Sequence, residues 1–279
     1  MTATPTDDFS KLLGKLGTLI NIPPKSMLTR ENGWKNHGQL MVIKAYCHLQ
    51  SIALLAESTA GEKSSQISHI DHGSIAVIAR AAYETFVLFN FIFLEEDPEL
   101  RQFRHQVWRL SGLMSRMKLN RVPGLPSERL EQIKIETNEI ARLQPIIEGS
   151  RYFTMLSKQA KKNVRQGDGV RLGAALIDLA EQAGLPRKYV ADMYTHFCNS
   201  SHANAISAFQ LSETLKDGTS PIVARGMIGF CCILLTQMIF AYAKFFDEVQ
   251  DYVVTDTELV DLLTVWATLG EAFSAMYED

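Results

Sequence analysis

Tyr194, Cys198 and His202 recur every four residues in PRKYVADMYTHFCNSSHANAISAFQL, residues 186–211. On a helix this spacing stacks side chains along one face, so a phenol, a thiol and an imidazole would share a surface. An imidazole titrates near neutrality and suits acid–base work, and a thiol beside it suits nucleophilic attack. Neighbours on one straight helix nevertheless lack the oxyanion donors that acyl transfer requires. A core histidine bonded to a facing helix is the plainer reading. A second polar pair, Arg80 and Glu84, lies one turn apart inside SIAVIARAAYETFVLFNFIFL, residues 74–94. A helix apolar on every side is a buried helix, so both groups are expected to be buried. A guanidinium oriented by a carboxylate is suited to bind a carboxylate or phosphate. The competing reading is a structural ion pair that fixes helix register. Arg80, Glu84, Tyr194, Cys198 and His202 together form the candidate binding site.

Two further groups carry chemistry. Lys158, Lys161, Lys162 and Arg165, with Arg151 and Tyr152 upstream, make the best local patch for nucleic acid, lysines meeting phosphates and the aromatic ring stacking on a base. A solvated helix face explains the same residues. His69 and His72, in HIDHG, lie three apart and could share a metal, but no second spaced pair completes a ligand set. No metal and no cofactor is assigned.

The elements that must position these residues all read as helices. Apolar residues recur at helical spacing over residues 8–20, 34–57, 69–94, 99–119, 127–147, 152–165, 171–183, 186–211, 222–249 and 256–277, and no period-2 strand of useful length appears. Pro23-Pro24, Asp97-Pro98, NRVPGLP at 120–126 and Gly184-Leu185-Pro186 punctuate the chain. The expected fold is an all-α multi-helix bundle in which two central apolar helices, 74–94 and 226–243, are wrapped by amphipathic ones. Residues 1–33 read as an N-terminal arm with one short helix. Residues 34–279 read as a single domain, with 120–169 as a protruding hairpin.

The chain has 279 residues, a net charge of -3 and 46% hydrophobic residues, which is ordinary globular material and argues against bulk electrostatic coating of nucleic acid. Its four cysteines, Cys47, Cys198, Cys231 and Cys232, show no framework spacing, so reduced thiols in a cytoplasmic protein are expected. Residues 226–243 are uncharged and of spanning length. Arg80 and Glu84 within the other apolar run, and Arg225 and Lys244 on both sides of this one, favour a soluble protein over a membrane partner.

Arg80-x3-Glu84 within an apolar helix, and Tyr194-x3-Cys198-x3-His202, make residues 74–211 resemble a family of uncharacterised all-helical bacterial proteins. That family usually carries Ser where Cys198 stands, which speaks against a nucleophile there. It is distantly similar to the HEPN group of nucleotide- and RNA-associated helical proteins, many of them ribonucleases with an Arg-x4–6-His motif. Arg30 and His37, in RENGWKNH, match that motif. The resemblance implies a helical bundle and no settled activity, and the leading expectation is a non-catalytic or weakly catalytic HEPN-like bundle that recognises a nucleotide or RNA phosphate through Arg80, Glu84, Tyr194 and His202. The competing expectation, from the Arg30/His37 match, is a metal-independent ribonuclease, with His37 as acid–base and Arg30 steadying the phosphate. A structural module, for instance a homodimer in which the polar cluster only fixes packing, is the remaining alternative.

Overall fold

A computed structural model describes residues 4–22, 33–58, 70–120, 124–202 and 205–275. Among them are thirteen helices and no strand: α1 (Pro5–Ile20), α2 (Gly33–Ser58), α3 (His72–Phe93), α4 (Pro98–Leu119), α5 (Ser127–Glu148), α6 (Arg151–Met155), α7 (Lys158–Gln166), α8 (Leu176–Gln182), α9 (Arg187–Ser201), α10 (Ala205–Asp217), α11 (Ser220–Phe245), α12 (Asp247–Thr255) and α13 (Thr257–Ala275). The fold is an all-α bundle. The chain divides into two compact units, residues 1–90 with 177–279, and residues 91–176.

In the first unit α11 is the axis. Its apolar residues are buried almost throughout, from Ala224 to Phe245, as expected of a helix with no polar face. Helices α1, α2, α12 and α13 pack against it. The α3 helix is the second central element, with Ile75, Ala76, Ala79, Ala82, Tyr83, Phe86 and Val87 all buried.

The N-terminal segment is more than an arm. Helix α1 begins at Pro5, behind a capping box in which Thr4 and Asp7 exchange hydrogen bonds, and it buries Phe9, Leu12, Leu13, Leu16 and Leu19. Its polar side is tied to the C-terminal helices. Lys15 Nζ lies 2.6 Å from Asp256 and 3.2 Å from Glu258, and Trp266 Nε1 donates to Asp8 at 3.1 Å.

The second unit is built on the antiparallel pair α4 and α5. Phe103, Val107, Leu110, Leu143, Ile147, Phe153 and Val164 form its core. Two ion pairs run along the helix pair, Arg109–Glu139 at 2.6 Å and Arg116–Glu136 at 2.8 Å. Pro145 neither ends nor interrupts α5, which continues to Glu148. Gly167 closes α7 in the left-handed region (φ +79°). A Cβ there would also lie 2.9 Å from Cβ of Met114, so close approach as well as backbone conformation calls for glycine.

Three expected helices are interrupted. Residues 152–165 break at Ser157, which caps α7 by accepting from Ala160 N–H at 3.2 Å. Residues 222–249 break at Phe246, in extended conformation (φ -134°, ψ 116°). Residues 186–211 break after Ser201, where His202 leaves the helix (φ -114°, ψ 142°).

Candidate functional site

Arg80 and Glu84 face α9 from consecutive turns of α3. Arg80 Nε donates to Glu84 Oε1 at 2.8 Å, and Arg80 Nη2 donates to the Tyr194 hydroxyl at 3.3 Å. That hydroxyl in turn donates to the same Glu84 oxygen at 3.0 Å. The three groups therefore close a ring of hydrogen bonds across two helices 110 residues apart in sequence. The guanidinium carbon also lies 5.2 Å from the centroid of the Tyr194 ring, within the range of a cation–π contact. Tyr83 supports that ring from α3, at 5.6 Å between centroids.

Electrostatics keep the guanidinium charged and the phenol protonated. The bond to Glu84 raises Arg80 above its already high ordinary value. Burial, followed by the bond to Glu84, pushes the Tyr194 hydroxyl up, so it remains a donor at neutral pH. The cluster is not sealed, contrary to the expectation from the apolar run around it. The side chains of Arg80 and Glu84 are 28% and 39% exposed. Arg80 Nη1 and Glu84 Oε2 have no partner among the described residues.

Of the other two candidates in this group, Cys198 is half-buried one turn beyond Tyr194, near enough for charge on its sulfur to act on Arg80. His202 is not brought in. The helix has ended, its ring is exposed, and its carbonyl accepts from Ser207 Oγ at 3.4 Å. The supporting ring of Tyr83 was missed because an aromatic residue in an apolar run signals core. Its one telling feature is a position three residues after Arg80, on the same face.

The basic patch is largely spent on its own carboxylates. Arg165 makes two bonds to Glu148, at 3.0 and 2.8 Å. Arg151 pairs with Glu99 at 3.0 Å and donates to the Tyr152 hydroxyl, which donates to Asp97. Lys161 caps the Thr154 carbonyl at 2.8 Å. Lys158 and Lys162 remain exposed. Arg30 and His69 lie outside the described residues, whereas His37 stands in the first turns of α2.

Among the described residues no group of three or more His, Cys, Asp or Glu is placed to hold a metal ion. An open cavity of about 610 Å³ in the first unit is lined by Gly184, Arg187, Lys188, Gln237, Gly270 and Glu271. It shares no residue with the Arg80 cluster, and Arg187 is already held by Asp178 at 2.7 Å and Glu181 at 2.6 Å. Among the described residues three helices are long and apolar enough to cross a membrane, residues 33–57, 72–93 and 220–245.

No curated protein and no solved structure matches the chain. Residues 39–219, well over half of it, match a family of unknown function, and the chain belongs to that family, DUF5677.

Proposed function

We propose that the chain is a HEPN-like helical bundle that binds the phosphate of a nucleotide or RNA through Arg80, without cleaving it. The observation that carries the reading is the unsatisfied, solvent-facing end of a fixed guanidinium. Nε and Nη2 are committed to Glu84 and Tyr194, while Nη1 is free in a side chain 28% exposed. A planar fork held on one side offers its remaining N–H groups in a set direction, which suits a tetrahedral anion. Glu84 offsets the charge, so the expected affinity is that of a selective contact and not of a strong anion trap. The matched family segment, residues 39–219, contains Arg80, Glu84, Tyr194, Cys198 and His202 and leaves out Arg30 and His37, which favours the binding reading over the ribonuclease one.

The reading is of a cytoplasmic protein. Support comes from α11 and α3, whose most apolar windows are 67% and 61% buried within the chain's own fold, as in a soluble core. Recovery in a detergent-free supernatant tests this part.

Binding is tested by thermal shift with inorganic phosphate, adenosine and guanosine monophosphates, and a short 5′-phosphorylated RNA. A rise in Tm with the phosphorylated ligands is expected for the wild-type protein and for Arg30→Ala, and is expected to vanish in Arg80→Ala. No rise with any of them sinks the reading. RNA cleavage lost in His37→Ala would replace it with the ribonuclease.

A further inference from the structure

Helix α2 carries apolar residues on two opposite sides. Met41, Val42, Ala45, Leu49 and Ile52 are buried, where α2 packs against α1 and α11. Ala45 and Leu49 stand two residues to either side of Cys47, so at 100° per residue they point about 160° away from it. The outer side is open. Leu40 is 58% and Leu54 67% exposed, and Cys47 between them is exposed as well. The three lie seven residues apart, the repeat that keeps side chains in line along a helix–helix seam.

The flanks of this stripe suit such a seam. Ile43 and Gln50 lie on one side of it, Lys44 and Ser51 on the other. Gln50 Nε2 donates to the Tyr46 hydroxyl at 2.9 Å, and Ser51 Oγ donates to the Cys47 carbonyl at 3.0 Å. Both side chains are bonded within their own helix, so they can border a contact and keep these bonds. The Lys44 stem is long enough to carry its ammonium group past the rim into water.

The stripe is also its own complement. From either end it reads Leu, Cys, Leu at equal spacing. A second copy laid on it face to face, in either direction, sets leucine against leucine at both ends and the small Cys47 against Cys47 at the centre. A surface that matches itself is what a two-fold dimer requires. Lipid fits less well, because an interfacial helix offers a broad apolar face. This stripe is the narrow kind found in paired helices, bounded by Lys44 and Ser51 on one side and Gln50 on the other.

We infer that α2 is a homodimer interface, in which the stripe of Leu40, Cys47 and Leu54 packs on the same stripe of a second copy of this chain with the two Cys47 side chains at its centre. The stripe is about 21 Å long at 1.5 Å per residue, a small contact beside permanent interfaces, so the dimer is reversible and forms in the micromolar range. Below that range the stripe is open and Cys47 is an accessible thiol. The dimer does not rest on phosphate binding, since the stripe shares no residue with the Arg80 cluster.

Sedimentation of the full chain under reducing conditions, between about 1 and 100 μM, tests it. The mass is expected to rise from one chain to two across that range. Leu54→Glu sets a carboxylate against a leucine of the second copy and should weaken the dimer by at least about tenfold. Because Leu54 is exposed, its Tm should stay unchanged, and Leu40→Glu repeats the test at the other end of the stripe. Mild oxidation with copper–phenanthroline at the top of the range should give a covalent dimer joined from Cys47 to Cys47, as mapped by peptide mass spectrometry, and none in Cys47→Ser. A chain that stays monomeric throughout, a dimer that neither glutamate weakens, or a disulfide dimer that forms equally in Cys47→Ser would each overturn the interface. So would a monomeric wild type that sediments with phospholipid vesicles and loses them in Leu54→Glu, which would give the stripe to a membrane surface.

Discussion

Tyr194 is the residue on which the α3–α9 cluster turns, because its hydroxyl both accepts from Arg80 and donates to Glu84. Tyr194→Phe removes both bonds but keeps the ring in contact with Tyr83 and the guanidinium, so it should cost about 1 kcal/mol. Arg80→Ala should also cost only about 1 kcal/mol, the range of an exposed pair, because Glu84 is 39% exposed and water can replace the guanidinium. A fully buried pair would lose about 3–5 kcal/mol. Urea unfolding of both variants separates these cases, and a loss near the upper range for Arg80→Ala would mean the cluster is closed to solvent. The pairing of Arg80 with Glu84 was legible in their spacing. Their depth was not, since an apolar run does not reveal which narrow strip of a helix meets water. The spacing of Tyr194, Cys198 and His202 has meaning only while the helix continues. Ser200 and Ser201 turn their hydroxyls back onto the carbonyls of His196 and Phe197, at 3.1 and 2.7 Å. Such bonds compete with the helical ladder, and the helix stops there.

At the scale of elements, α1 is where sequence and structure differ most in consequence. An amphipathic helix followed by Pro23-Pro24 reads as detachable, yet Leu12, Leu16 and Leu19 are fully buried, against α11, α2 and α13. What periodicity could not show was that the partner surface lies more than 200 residues away, on α11. Leu16→Ala should therefore destabilise the first unit by about 2–5 kcal/mol, as in other cores where a cavity is left. A cost below about 0.5 kcal/mol in urea unfolding would return α1 to the status of a surface arm. The same blindness to long-range partners explains the basic patch. Lysines and arginines at 151–165 look free until Glu99 and Glu148 are brought beside Arg151 and Arg165. The break at Ser157 had a local signal, a capping serine ahead of Lys158, obscured by the apolar spacing that runs across it.

At the scale of the whole molecule, three helices among the described residues have membrane-spanning length and hydropathy, and they differ in how much the fold uses them. The apolar windows of α11 and α3 are 67% and 61% buried, that of α2 only 28%, and α2 leaves Leu40, Leu54 and Cys47 exposed. The cysteines thus sample the fold at graded depth. Cys47 is exposed, Cys198 half-buried, and Cys231 and Cys232 are fully buried on α11. Burial pushes the Cys231 thiol up to about 12, and Cys232, further constrained by Cys231 and Asp8, is pushed up as well. Only the thiolate reacts at useful rates, so inaccessibility and protonation act in the same direction. Native protein treated with a maleimide at pH 7.5 should be labelled first at Cys47, later at Cys198, and at Cys231 and Cys232 only on unfolding. Cys232 carries a second report, because its Sγ lies 3.5 Å from the Pro5 carbonyl of α1. If α1 undocks without the unit unfolding, Leu16→Ala should speed labelling of Cys232 ahead of Cys231, as read by peptide mass spectrometry. Equal acceleration of both would mean that α1 and α11 open as one cooperative body. Labelling of either in the folded wild type at the rate of Cys47 would mean that α11 is not the axis of the bundle.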